Sequence, residues 1–172
     1  MIYFLRHFKV KDSSKSWLNS NEFDKWVKDY DTFELEYSDI VLPKNIDKIY
    51  VSSQNRAIKS ADFLNFDYEI NDLLVEVPIK SFINTKFKLP KWLWLFLGRA
   101  AWFLNFKQNE IKKETNKRTE CFIQNLDISC NVLIISHGFF MMLLVKKLKN
   151  IGYSGNISSK MSNGKVYIFE NK

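Results

Sequence analysis

Four short stretches of the chain concentrate apolar residues: "IYFL" (Ile2–Leu5), "IDKIYVSS" (46–53), "VLIIS" (Val132–Ser136) and "KVYIFE" (165–170). They are rich in β-branched and aromatic residues and too short for helices, so they predict strands. "IYFL" and "VLIIS" do not alternate at all, the pattern of strands covered on both faces. Between them the apolar positions recur at helical spacing. Phe23, Trp26, Val27 and Tyr30 share one face, and Ala57, Ile58, Ala61 and Leu64 another. Ile111, Thr115, Arg118 and Phe122 mark a more polar helix. Phe139 to Leu148 is apolar first and basic at its end, where lysines suit the helix dipole. "SNGK" (Ser162–Lys165) predicts a turn before the last strand. Strands alternating with helices predict a three-layer α/β/α sandwich with a mostly parallel central sheet.

Length and composition narrow this picture. At 172 residues the chain suits a single domain over 1–172 with a substantial core. Hydrophobic residues at 46% and charged residues at 26% fit a soluble globular protein rather than a disordered one. A formal net charge of +7 suits nucleic acid, a membrane surface or an anionic small substrate. The lysines are spread along the chain, and no zinc finger, helix-turn-helix or aromatic RNA-binding signature is present, so no nucleic-acid partner is expected. Cys121 and Cys130 are too few for a disulfide scaffold and read as buried reduced thiols. The N-terminus has no secretory pattern, and a cytoplasmic location is expected.

Three of the predicted strands end in residues suited to chemistry rather than packing. The first ends in Arg6-His7. The second ends in Ser52-Ser53, and Arg56 follows in the first turn of a helix. The third ends in Ser136-His137-Gly138, again before a helix. Ligands of open α/β sheets bind outside the carboxyl ends of the strands. Both histidines and two arginines can therefore converge on one crevice, where helix N-termini and forked guanidinium groups suit a phosphate. Ser136 reads as a helix cap.

"LRHFKV", "SSQNRAIKSA", "LLVEV" and "ISHGFF" resemble, in order, the defining segments of the histidine phosphatase superfamily, the phosphoglycerate mutase-like proteins. The resemblance runs from Ile2 to about Leu148. It implies that His7 is the nucleophile that becomes phosphohistidine. It implies that Arg6, Arg56 and His137 bind the phosphate, with His137 also among the catalytic residues. It implies that Glu76 is the acid that protonates the leaving oxygen and then the base that activates water. Glu69 and Asp72 stand close enough in sequence to compete for that role. The expected activity is hydrolysis of small phosphate monoesters, with no cofactor and no metal. The alternatives are a phosphoglycerate mutase-type phosphotransferase, a protein-phosphohistidine phosphatase and a non-catalytic phospholigand-binding protein.

Two positions depart from the family pattern: Phe8 replaces the glycine of the first motif, and Val10 stands where many members carry threonine. Phe8 is expected to add an apolar surface beside the nucleophile. The aromatic segment "LPKWLWLFLGRAAWFLNF" (Leu89–Phe106) is expected to meet it and form one apolar wall. That segment is too short to span a bilayer and contains Arg99. A helical cap at about 82–108 is the favoured reading of it, and a membrane-surface or partner-binding helix the second.

Overall fold

The computed structural model describes residues 1–106, 108–155 and 161–171. In chain order these form β1 (Ile2–Arg6), β2 (Lys9–Val10), β3 (Trp17–Leu18), α1 (Ser20–Asp29), β4 (Leu35–Glu36), β5 (Lys48–Ser52) and α2 (Asn55–Phe63). There follow β6 (Glu69–Asn71), β7 (Leu89–Pro90), α3 (Lys91–Phe103), α4 (Lys112–Gln124), β8 (Val132–Ser136), α5 (Gly138–Asn150), β9 (Tyr153–Ser154) and β10 (Val166–Asn171). Of the predicted cap segment, Lys107 lies outside the described residues.

Six strands make the central sheet in the order β6-β5-β8-β1-β10-β9. The pairings β6–β5, β5–β8 and β8–β1 are parallel; β1–β10 and β10–β9 are antiparallel. Alternate residues of each inner strand serve opposite faces, which is why "IYFL" and "VLIIS" show no polar positions. Ile2, Phe4, Val132 and Ile134 pack with Phe122 of α4 and Phe140 and Leu144 of α5. Tyr3, Leu5, Leu133 and Ile135 pack with Ala57 and Ala61 of α2 on the other side. The result is the expected three-layer α/β arrangement.

Local sequence sets the helix boundaries. Asn19 and Glu22 form a reciprocal capping box that starts α1: the Glu22 amide donates to Asn19 Oδ1 at 3.0 Å, and the Asn19 amide to Glu22 Oε2 at 2.8 Å. Tyr30, expected on that helix, instead opens a 3-10 turn over Tyr30–Thr32. In α3, Gly98 allows close approach to the preceding segment, because a Cβ there would sit 2.5 Å from Ile79 Cγ1. Cys121 and Cys130 are free but only half-buried, so the expectation of buried thiols is not met. Cys121 lies in the last turns of α4, and Cys130 in the loop before β8, where it packs against the core.

Phe8 also departs from expectation. Its ring is buried in a cluster with Val10 and Leu35 and meets Tyr37 and Phe63 edge-on at 5.4 and 5.3 Å. α3 packs elsewhere, with Trp94 stacked on Phe23 at 5.3 Å, so the wall expected between Phe8 and the aromatic segment does not form. The backbone at Phe8 avoids the left-handed region, so a side chain costs nothing there in dihedral strain. Phe8 is thus a core residue of the lobe formed by β2, β4 and α2. Phe8→Ala should lower unfolding free energy by about 3–5 kcal/mol, the usual cost of emptying a buried phenylalanine site. Urea denaturation measures this; a loss below about 1 kcal/mol would contradict the packing role.

Candidate active site

The parallel register lines up three strand ends. Arg6 pairs with Ser136, and Val51 with Ile135, so Ser52, Ser136 and Arg6 lie in one row at the carboxyl edge of the sheet. The next residues step out of the sheet together. His7 still donates its amide to the Ser136 carbonyl at 3.1 Å, which holds the two turns side by side. The imidazoles of His7 and His137 then stand 5.2 Å apart, centroid to centroid.

A hydrogen bond decides the His7 tautomer. Its Nδ1 lies 2.7 Å from the Phe8 carbonyl oxygen. A carbonyl only accepts, so Nδ1 carries the proton and Nε2 keeps a free lone pair. Burial first and the Arg56 charge second lower the His7 pKa from the ordinary 6.5 to about 3; the Phe8 carbonyl opposes them, and Arg6 adds the smallest lowering. The ring is therefore neutral at physiological pH.

Arg56 is buried and held on three sides. Its Nε donates to His137 Nδ1 at 3.1 Å, Nη1 to Asp31 Oδ1 at 2.9 Å and Nη2 to Gln54 Oε1 at 2.9 Å. Because Arg56 can only donate, His137 Nδ1 accepts, and its Nε2–H donates to Ser52 Oγ at 2.8 Å. His137 is neutral too; burial first and Arg56 second hold it well below the ordinary histidine range. It is wholly buried, with both ring nitrogens engaged. Arg6 donates from Nη1 to the Met161 carbonyl at 2.8 Å, while its Nε is buried without a hydrogen-bond partner among the described residues. The guanidinium lies against Gly138, where a Cβ would come within 2.9 Å of Arg6 Cζ. That contact gives the third residue of "SHG" a steric reason to be glycine.

Glu76 reaches the same place from a loop. Oε1 accepts from the Val77 and Phe140 amides, both at 2.9 Å, and Oε2 from the Phe139 amide at 3.1 Å. The carboxylate thus caps the N-terminus of α5, the task expected of Ser136. Ser136 Oγ donates instead to the Leu74 carbonyl at 2.6 Å, tying the loop that carries Glu76 to the sheet. Arg118 does the same from α4, with Nη1 2.8 Å from the carbonyls of both Leu73 and Val75. Of the two competing acids, Glu69 pairs with Lys48 at 3.1 Å, and neither Glu69 nor Asp72 lines the cleft.

These groups line a cleft of about 380 Å³. Arg6, His7, Arg56 and Glu76 form its polar floor; Trp26 and Tyr30 near α1, Leu95 and Arg99 of α3, and Phe139 and Met142 of α5 form its walls. Phe8 is absent from the lining and His137 lies behind it. The sequence reading missed Asp31, Gln54 and Arg99. Arg99 donates to the Val77 carbonyl at 2.9 Å and stands 4.0 Å from Glu76 Oε1, adding a third cation to the site. Its interruption of an apolar segment was the signal for it. Asp31 and Gln54 carried none. Among the described residues no three His, Cys, Asp or Glu side chains are grouped as a metal site.

The model of the histidine phosphatase superfamily (branch 1) matches residues 39–172, a span that includes Arg56, Glu76 and His137. Arg6 and His7 precede it, and the sheet brings them to the others. No curated protein matches the chain by sequence. Solved structures resemble it over 96% of its length. An alpha-ribazole phosphatase from Shigella flexneri has 18% identity and a TM-score of 0.52 over 87% of that chain. A mycobacterial glucosyl-3-phosphoglycerate phosphatase has 14% identity and a TM-score of 0.54 over 87% of that chain. An open reading frame product of Mycobacterium tuberculosis has 12% identity and a TM-score of 0.58 over 88% of that chain. At these identities the likeness is one of fold.

The depressed His7 pKa has a consequence for stability. Unfolded His7 takes up a proton below its ordinary 6.5, whereas the folded ring resists until about 3. Between these values the unfolded state binds more protons, so stability falls as pH falls, with a slope approaching about 1.4 kcal/mol per pH unit for this group. His7→Asn cannot titrate. Its urea-unfolding free energy should decline less steeply than the parent's on acidification through this window. Parallel acid limbs would show that folded His7 protonates normally.

Proposed function

The chain belongs to the histidine phosphatase superfamily, and from that premise we propose that it is an enzyme hydrolysing small phosphate monoesters through a phosphohistidine at His7. One observation carries the reading: a neutral imidazole with its Nε2 lone pair free faces a cleft floored by arginines, with a carboxylate opposite. Nε2 attacks phosphorus, the bond to the ester oxygen breaks, and that oxygen takes a proton from Glu76. Water then attacks the phosphohistidine, giving its proton to Glu76 and releasing phosphate. Arg6 and Arg56 hold the phosphoryl oxygens and balance the charge that spreads over them.

The hydrogen bonds of Glu76 favour one of its two oxygens for this exchange. Three of its roughly four lone-pair sites accept amide protons, two on Oε1 and one on Oε2. The proton it exchanges therefore sits on Oε2. His137, taken from the motif as a phosphate ligand, acts in this scheme through Arg56, whose Nε it fixes. Leu95 and Arg99 bring the aromatic segment to the cleft wall, which supports reading α3 as a cap that governs substrate choice. Phe8 is buried outside the cleft lining, which counts against the reading of a non-catalytic phospholigand-binding protein that its place in the motif suggested.

His7→Ala should reduce hydrolysis of 4-nitrophenyl phosphate by roughly a thousandfold or more. Brief incubation of the parent with labelled ester should trap an acid-labile, base-stable adduct that the variant lacks. Full activity in His7→Ala would end the proposal. Glu76→Gln should slow alkyl phosphates by about 10²–10⁴ and aryl phosphates far less, since good leaving groups need little protonation. Equal slowing of both would assign the proton to another group.

A further inference from the structure

The two long sides of α3 are both apolar, and only one is buried. Trp94, Gly98, Ala101 and Trp102 face inward. Trp92, Phe96 and Phe103 fall within a narrow stripe on the opposite side, at positions i, i+4 and i+11, and are 68%, 64% and 61% exposed. Leu104 just after the helix, and Phe87 and Trp17 from segments leading to it, are exposed as well, and Trp17 pairs with Pro90, the residue before α3. Single exposed apolar side chains are ordinary, but a run of aromatics along one helix face marks a binding surface.

Lysines bracket the stripe. Lys86 and Lys88 flank Phe87 in the segment that leads through β7 into α3. Beyond its far end Lys112, Lys113 and Lys117 line a shallow depression with Asn105, and Lys112 Nζ lies 4.1 Å from the Phe103 ring centroid. Among the described residues Lys86, Lys113 and Lys117 make no ion pair, and Lys88 makes only a long one of 3.9 Å to Glu22. The nearby acids are engaged: Glu110 with Arg118 at 3.0 Å, Glu120 with Lys147, and Glu114 with the Ile111 amide at 2.9 Å.

We propose that this face of α3 docks on an anionic lipid bilayer. Tryptophan and phenylalanine beside lysine match the two layers of such a surface, the rings entering the acyl boundary and the ammonium groups meeting the headgroups. At 13 residues the helix is about 20 Å long, too short to cross and suited to lie in the interface plane. A second copy of this chain fits less well, because a twofold contact through the stripe would set one lysine group against another. Leu95 and Arg99, on the flank of the same helix, line the cleft, so docking sets its mouth beside the headgroups. The docking stands independently of the hydrolase reading.

The test is sedimentation of the purified chain with vesicles of phosphatidylcholine alone and of phosphatidylcholine mixed with phosphatidylserine. The parent should pellet with the mixed vesicles and remain in solution with the neutral ones. The triple variant Trp92→Ser, Phe96→Ser, Phe103→Ser should bind the mixed vesicles about tenfold more weakly with an unchanged circular dichroism spectrum. The charge variant Lys86→Glu, Lys113→Glu, Lys117→Glu alters no apolar side chain and should lose binding to a similar degree. Failure of the parent to bind, or undiminished binding by both variants, would overturn the proposal. So would a dimer in sedimentation velocity that the serine variant dissolves, since the face would then be a self-interface.

Discussion

The Arg56 guanidinium is the group around which the cleft is organised. A cation this buried must be paired and hydrogen-bonded, or its desolvation would oppose folding. Asp31 supplies the countercharge, and its carboxylate also accepts the Asn55 amide at 2.9 Å and the Arg56 amide at 3.3 Å, at the start of α2. Gln54 bonds Arg56 and the Glu76 amide with one oxygen, the latter at 3.0 Å, and His137 takes the remaining side. One side chain thus fixes the turn after α1, the start of α2, the end of β8 and the loop of Glu76. Burial first, and the same positive charge second, keep both imidazoles neutral.

The acid is positioned by a comparable double use. α5 begins at Gly138 with no side-chain cap of its own. Glu76 supplies one from a segment more than sixty residues earlier, so the amides that would otherwise be unsatisfied hold the carboxylate over the cleft. Ser136 and Arg118 brace the loop from the sheet and from α4. The location of Glu76 and the start of α5 are therefore one structural decision, and displacement of either disturbs the other.

The strand-forming stretches and the convergence of Arg6, His7, Arg56 and His137 were legible because they depend on local pattern and on a rule of parallel sheets. The short pairs β2–β4 and β3–β7 and the last strand's antiparallel direction were not, since two-residue ladders leave no periodicity and direction depends on distant partners. Asp31 and Gln54 were invisible for a related reason: an acid in a turn and a glutamine before a helix look the same whether solvated or clamped on an arginine. Ser136 was misread because a serine ahead of a helix is the commonest cap, and nothing local reveals that a glutamate from afar has taken that place. Phe8 was misread because its position was judged by the family's glycine, whereas the backbone there takes dihedrals open to any residue.

α3 shows where hydrophobicity stops being a guide to burial. Its inner side has structural reasons for each residue: Trp94 donates to the Leu18 carbonyl at 2.8 Å, Trp102 to Thr115 Oγ1 at 3.1 Å, and Gly98 admits Ile79. Those contacts account for the attachment of the helix without help from Trp92, Phe96 or Phe103. A helix held by one face gains little in folding from aromatics on the other, and their exposure is a standing cost in solubility. An apolar-all-round sequence usually means a helix enclosed on every side. Here the described fold encloses one side only, so the reason for the outer aromatics lies in what the protein meets rather than in how it folds.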